Sequence, residues 1–523
     1  VGETYDRTLD VGCEIKRIPT STCDRHKRQM VRVASPWIPG VFRPFFHHDC
    51  QCNQLRAVVG RVAGPVVKPS ERGLGLLRAE AKVLGRTIPL TSANSLFDMP
   101  KRYSGAKRTR YEVAVDALCR FGLFAKDSFC SMFVKGERID GEAKVCPDPR
   151  AIQFRGAKYC VALAAFLHPI EHYLYNTEAA SRGVPKTRNI AKGLNSVDRA
   201  ELLNTKLSFF RSPVVLSIDA SRFDKHVSLE LLQIEHAVYL MSNAHVVFAS
   251  LLAMQLVNTI FSSTGIKYKV RGRRMSGDMN TACGNCVLML VMLMAYCRLI
   301  SLERWDCLDD GDDCLLIVEA CDVGRVQSSL AAEFLEFGME MKVEAPVTSL
   351  FQVVFCQSSV VEYESQRFKF VRDYRSVISK ALCGLRHWQD PHYRKKVLRA
   401  IGTCELVLNL SVPVLQAFAL AILRNSGGLV NDLYYAPDGL KARAVRDLKA
   451  LGLGPGTLSA RPIHECGRRS FELAFGLSVQ DQITLERGLD SWNFEVSGLT
   501  HWGREWDVER WLPVFSNVEV YHL

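Results

Sequence analysis

This chain has no long hydrophobic run. Its longest apolar stretch, Cys286 to Cys297, is twelve residues, whereas a bilayer-spanning helix needs about 20. The stretch therefore reads as a buried helix. No internal repeat, low-complexity tract or signal peptide is recognised. The 18 cysteines show no framework spacing, so free thiols in a reducing cytosol are expected. Acidic residues are outnumbered, 55 Asp+Glu against 67 Lys+Arg, for a net charge of +12. The basic excess is clustered and points to a polyanionic partner. Hydrophobic content of 48% with 23% charged residues excludes a disordered chain. A length of 523 residues exceeds one ordinary domain. The chain starts at Val1 rather than Met, which fits a fragment or a processed or readthrough product.

Residues 1–75 are basic, rich in Cys, His, Pro and Gly, and read as irregular. Helical patterns alternate with basic loops over 76–210, strands and helices interleave over 213–375, and helices dominate from 376 onward. A Gly/Pro-rich break falls at Gly452–Gly456. Val214 to Asp219 is β-branched and predicts a strand ending at Asp219. Val227, Leu231, Ile234, Val238 and Met241 recur at helical spacing. A further helix is predicted over Val326 to Phe337, stopped by Gly338.

The stretch Trp305-Asp-Cys-Leu-Asp-Asp-Gly-Asp-Asp-Cys-Leu-Leu-Ile-Val-Glu319 sets several carboxylates against a buried-looking strand. Asp310-Gly311 between apolar runs predicts a hairpin turn. Taken alone, an acidic run is most simply a solvated loop. An EF-hand is excluded, because its acids alternate before a glycine at position six.

Two upstream motifs decide between these readings. Asp219-Ala-Ser-Arg-Phe-Asp224 sets two aspartates five residues apart at a strand end. Ser276-Gly-Asp-Met-Asn-Thr-Ala-Cys-Gly-Asn285 fits S-G-x3-T-x3-N without a mismatch. The order of these two motifs before Gly-Asp-Asp is highly specific. The set resembles the palm motifs of viral RNA-dependent RNA polymerases, nearest to the tombusvirus group within the flavivirus-like supergroup of positive-strand RNA viruses. Further residues carry it: Pro149–Arg155, Glu336–Pro346, Phe355–Val361 and Phe370–Lys380. The resemblance is good over about 100–380 and weakens toward both ends.

The resemblance implies an α+β right-hand polymerase with fingers, a palm of antiparallel sheet plus helices, and a mainly helical thumb. It implies 1–75 as an N-terminal extension or fingertip region, 76–212 as fingers and 213–240 as the first part of the palm. Residues 241–271 would be a fingers insertion, 272–375 the second part of the palm and 376–523 the thumb. The activity implied is RNA synthesis from ribonucleoside triphosphates, with a 3′-hydroxyl attacking an α-phosphate and pyrophosphate leaving. Two Mg²⁺ ions about 3.5–4 Å apart serve such chemistry, and Mn²⁺ can substitute. Asp219 and Asp312 are the expected primary ligands, with Asp313 secondary. Asp309 and Asp310 are expected to be turn acids.

Asp224 suits ribose selection, since it can support a hydrogen-bond network to the 2′-hydroxyl, with Ser276 and Asn285 as partners. A reverse transcriptase would carry a bulky aromatic there. Thr281 shares a helix face with Asn285, and Gly277 is expected to give the loop backbone freedom. Ordinary helix capping is the competing role for Ser276 and Thr281. By resemblance, Arg150 and Arg155 contact the triphosphate, Lys135 and Lys144 assist, and Lys342 protonates the leaving pyrophosphate. Lys101, Arg102, Lys107 and Arg108 lie in one cluster expected to track RNA, and Lys267 to Arg274, with Lys267, Lys269, Arg271, Arg273 and Arg274, forms another. Arg372 is expected on the primer side.

Cys283-Gly-Asn-Cys286 looks like a redox pair, but no thioredoxin-like unit surrounds it. Cys13, Cys23, His26, His47, His48, Cys50 and Cys52 match no zinc-finger spacing, so zinc is not expected. The implied partners are RNA template, nascent strand, nucleotides and a viral membrane-anchored replication protein. The implied location is a membrane-associated replication complex in host cytoplasm. Two rivals remain: a reverse transcriptase, and a non-enzymatic RNA-binding or coat protein.

Overall fold

The twelve-residue apolar run lies within a longer helix at the centre of the fold. The computed structural model describes residues 9–10, 12–17, 30–141, 143, 147–385, 387–496 and 519–521. In it, helix Thr281–Leu299 is buried at every position from Cys283 to Cys297. Among the described residues it is the one helix long and apolar enough to cross a membrane, yet 83% of its apolar window is covered by the rest of the protein. A helix that is apolar all round belongs in a core. Helices Glu71–Gly85, Ala157–Tyr175, Leu229–Ser242 and Val323–Glu336 pack around it.

This bundle covers one face of a four-stranded antiparallel sheet. The strand order is Trp305–Asp309, Asp313–Glu319, Pro213–Ala220, Met341–Val343. Side-chain alternation sends Leu216, Ile218, Cys314, Leu316 and Val318 toward the helices. Val215, Leu315 and Ile317 go to a second core on the other face, with Phe355 and Phe370. Burial on both faces explains why Cys314 to Val318 is continuously apolar.

A second sheet joins three distant parts of the chain. Its order is Glu14–Arg17, Ile266–Arg271, Val257–Ser262, Cys130–Val134, Ala151–Arg155, with only the Val257–Ser262 and Cys130–Val134 pair parallel. After Ala381, helices predominate: Pro391–Leu408, Leu415–Ser426, Asp438–Leu451, Glu465–Phe475 and Val479–Ser491.

The elements predicted from pattern are found with shifted ends. Residues 1–75 depart from the irregular reading. Gln51–Val58 is helical, Glu71–Gly85 begins another helix, and Met30–Arg32 pairs with Cys383–Gly384 and Glu519–Tyr521. Polar composition hid helix Gln51–Val58, and strand Met30–Arg32 was hidden because its partners lie at the far end of the sequence. Cys23 and His26 lie outside the described residues.

Candidate active site

The acidic hairpin forms as its turn chemistry requires. Trp305–Asp309 and Asp313–Glu319 pair antiparallel, and the Asp310 N–H donates to the Asp313 carbonyl at 2.9 Å. Gly311 sits at φ 103°, where a side chain is strained.

The crowded acids separate into two groups. Asp306 is fully buried and paired with Lys206 at 2.8 Å. Asp309 is buried, accepts the Gly311 N–H at 2.9 Å, and is pushed well above the usual carboxylate range by burial. Asp310 is gripped by Lys192 at 2.6 Å and Arg199 at 2.9 Å. Burial raises its pKa, but these two cations outweigh burial and the net shift is downward. Asp309 and Asp310 are therefore turn acids, as expected. Lys192, Arg199 and Lys206 were not singled out in the sequence, where their hairpin partners lie 100 or more residues away.

The second group gathers at one end of the sheet. Asp313 stands directly opposite Asp219 on the neighbouring strand, and Asp312 precedes it at the tip. On the other side of Asp219, Lys342 is its register partner. Asp219, Asp312 and Lys342 are exposed. The Asp313 carboxylate accepts the Cys356 N–H at 2.7 Å. Burial, reinforced by Asp312, Asp219 and Asp310, raises its pKa to about 6 against that hydrogen bond. The Lys342 ammonium contacts Glu344 at 2.5 Å, which holds its pKa above the ordinary lysine value.

Beside this end lies a polar chain. The Asn285 amide donates to Asp224 at 3.1 Å. The Asn285 oxygen accepts from Arg274 Nε at 3.0 Å, and Arg274 is itself ion-paired with buried Glu235. Glu235 also accepts from Asn280 at 2.8 Å and Tyr239 at 2.9 Å. The expected Asp224–Asn285 contact forms, but Ser276 does not join it. Its hydroxyl donates to the Ala151 carbonyl at 2.9 Å, and Thr281 donates to the Met275 carbonyl at 2.8 Å. Both bonds fasten the loop. The reason for Gly277 is also corrected: a Cβ there would lie 2.5 Å from the Gln153 carbonyl, so close approach to strand Ala151–Arg155 requires glycine.

Several basic assignments change. Arg155 is only 2% exposed and forked onto Asp278 at 2.6 and 3.0 Å, with further bonds to Ser128 and Asn258. It is spent on structure and does not face a triphosphate. Arg273, bonded to the Val62 carbonyl and Asp10, and Arg274 are likewise buried, so neither is open to RNA. Arg150 and Lys135 do reach the surface, and both touch Glu137, at 3.2 and 2.6 Å. Lys144 lies outside the described residues. Arg271 is exposed, as are Lys101, Arg102, Lys107 and Arg108 around the start of helix Gly105–Phe121. Lys107 lies 4.3 Å over the Tyr103 ring. Arg372 lines a cleft of about 260 Å³ beside Asp310, together with Arg199, Arg443 and Arg446. Arg199 comes from helix Ser196–Leu207, whereas Arg443 and Arg446 share helix Asp438–Leu451, so no single stretch of sequence gathers the three.

Cys283 and Cys286 are buried, and burial drives both thiols far above the ordinary range, which leaves them unreactive. Among the described residues no group of three or more His, Cys, Asp or Glu side chains is placed to hold a metal ion.

Comparison with known proteins agrees with this arrangement. Residues 25–497 match the family model described as viral RNA dependent RNA polymerase. The RNA-directed RNA polymerase of Groundnut rosette virus (strain MC1) is 34% identical over 400 residues, covering 75% of this chain and 45% of the relative. That of Tobacco necrosis virus (strain A) is 33% identical over 493 residues, covering 90% and 65%. That of Tomato bushy stunt virus (strain Cherry) is 30% identical over 497 residues, covering 93% and 59%. The chain thus spans between 45% and 65% of these relatives' own length. The family expectation drawn from the motifs is borne out: the chain belongs to the viral RNA-dependent RNA polymerase family.

Proposed function

We propose that this chain extends an RNA strand from ribonucleoside triphosphates on an RNA template, in the replication of a positive-strand RNA virus. The observation that carries the reading is the meeting of Asp219 with Asp313 and Asp312 at one sheet end. Carboxylates crowded until one of them resists ionisation suit a hard cation. Mg²⁺ is commonly held by one or two carboxylates plus substrate phosphates. Asp219, Asp312 and Asp313 would hold two Mg²⁺ or Mn²⁺ ions, which when bound activate the 3′-hydroxyl and neutralise the leaving group.

The remaining roles belong to the chain's own side chains. Lys342, charged and exposed opposite Asp219, donates a proton to departing pyrophosphate. Arg150 and Lys135 take triphosphate oxygens, exchanging Glu137 for the ligand. Asp224, held by Asn285, accepts the ribose 2′-hydroxyl. Lys101, Arg102, Lys107, Arg108 and Arg271 neutralise RNA phosphates, and Arg372 serves the primer side from its arginine-lined cleft.

The right-hand layout follows the same reading. The four-stranded sheet is the palm, the five-stranded sheet belongs to the fingers, and the C-terminal helices form the thumb. Boundaries at 75, 240 and 375 would fall inside helices Glu71–Gly85, Leu229–Ser242 and Tyr374–Ala381. They are better drawn at 70, 242 and 373. A viral membrane-anchored protein and a membrane-associated complex in host cytoplasm complete the proposal. The test is extension of an RNA primer with Mg²⁺, offering ribo- against deoxyribonucleotides. Ribonucleotide-selective extension supports the reading, deoxyribonucleotide preference favours a reverse transcriptase, and RNA binding without extension favours a coat-like protein.

A further inference from the structure

The five-stranded sheet has a face of which the proposed function uses only Arg271. One side is core: Met132, Ile260, Tyr268 and Val270 pack beneath helix Gln51–Val58. The other side of a half-exposed antiparallel sheet is normally polar. Here it carries aromatic rings. Phe133 is 37% exposed and Phe261 40% exposed, on neighbouring strands. Phe129, 41% exposed, leads into the first of these strands, and its ring lies 5.9 Å from that of Phe261. Phe154 on the edge strand meets Phe133 edge-on at 5.9 Å.

Beside the rings the same face is basic. Lys267, Lys269 and Arg271 alternate outward along Ile266–Arg271, and Lys16 stands opposite Lys267 on the next strand. The Lys267 ammonium sits 5.1 Å over the Phe261 ring. Among the described residues none of Lys267, Lys269 and Arg271 is in an ion pair with a carboxylate. Glu14, opposite Lys269, is the acidic exception on this face. Protein-binding patches are depleted of lysine at their centre, whereas lysines set among open rings match a polymer with flat bases and an anionic backbone. A duplex hides its base faces, so the complementary form is single-stranded. The surface also adjoins the site, because Ser276 and Gly277 are bonded to the edge strand that carries Phe154.

We propose that this sheet face binds unpaired RNA, with bases stacked on Phe129, Phe133 and Phe261 and phosphates neutralised by Lys267, Lys269 and Arg271. The proposal goes beyond nucleotide addition, and its read-out is binding. It is therefore scored equally in an Asp312→Ala background and survives or fails independently of the polymerase reading.

The test uses the full chain and a labelled oligouridylate of about 20 nucleotides. Phe133→Leu with Phe261→Leu should weaken binding about tenfold or more, while Phe133→Tyr with Phe261→Trp should stay within about twofold of wild type. Retained binding by the aromatic pair separates lost stacking from lost folding. Lys267→Ala with Lys269→Ala should flatten the slope of log affinity against log salt by about 1.4. A 4-thiouridine oligomer should cross-link to peptides containing Phe133 or Phe261. Unchanged affinity in the leucine pair with cross-links only elsewhere overturns the proposal. Loss of self-association without loss of RNA affinity also overturns it and assigns the face to protein contact.

Discussion

Arg274 donates from Nε to the side-chain oxygen of Asn285 at 3.0 Å, which leaves the Asn285 amide nitrogen to face Asp224. A residue expected to bind RNA thus fixes the orientation of a residue expected to read the sugar. Arg274→Lys keeps a cation against Glu235 but loses the planar fork. It should lower discrimination between ribo- and deoxyribonucleotides about tenfold while RNA affinity stays unchanged. Competitive incorporation and binding assays check this, and loss of RNA affinity with intact discrimination would restore the original assignment.

Arg155 and Arg150, five residues apart on one basic stretch, should behave in opposite ways. Arg155→Met strands Asp278 in the interior and should cost about 3–5 kcal/mol of stability. Arg150→Ala at the surface should change stability by no more than about 0.5 kcal/mol and should raise KM for the triphosphate. Denaturant unfolding and steady-state kinetics on both variants check the pair.

The Asp306–Lys206 pair beneath the acidic hairpin is fully buried. Lys206→Met alone should cost about 3–5 kcal/mol, because Asp306 keeps its burial and loses its partner. Lys206→Met with Asp306→Leu should recover most of that loss, as measured by denaturant unfolding.

Lys369 is 4% exposed on strand Arg367–Arg372. Burial, opposed by Asp447 and aided by Arg461, lowers its pKa to about 8. The unfolded chain binds this proton more tightly, up to roughly pH 10.4. Stability from this group therefore rises with pH between those values, and its full penalty applies below pH 8. Lys369→Met should stabilise the protein by about 1–3 kcal/mol at neutral pH. The gain should shrink as pH approaches 10, and unfolding of both proteins across that range checks it.

Legibility in the sequence followed the range of the interactions. The hairpin could be read because Asp310-Gly311 and its flanking apolar runs are local signals. That Asp219 would meet the hairpin acids could be read because motif order carried it, but Asp312 was the expected primary partner and Asp313 is the one in register. The fate of Arg155 could not be read, because its partner Asp278 lies 123 residues away and nothing near Arg155 announces burial. Gly277 was legible as a necessary glycine but not for its reason, since the Gln153 carbonyl it approaches belongs to another strand. The exposed rings of the five-stranded sheet alternate with buried residues as any strand does, and only tertiary packing shows which face stays open.

Asp219 and the tip aspartates are expected to act together on an RNA 3′ end. Single-turnover addition of one ribonucleotide to an RNA primer, in Mg²⁺, measures it for wild type, Asp219→Ala and Asp312→Ala alongside RNA affinity. Both substitutions should abolish addition and leave RNA affinity intact. Addition at the wild-type rate by either variant would contradict this joint action.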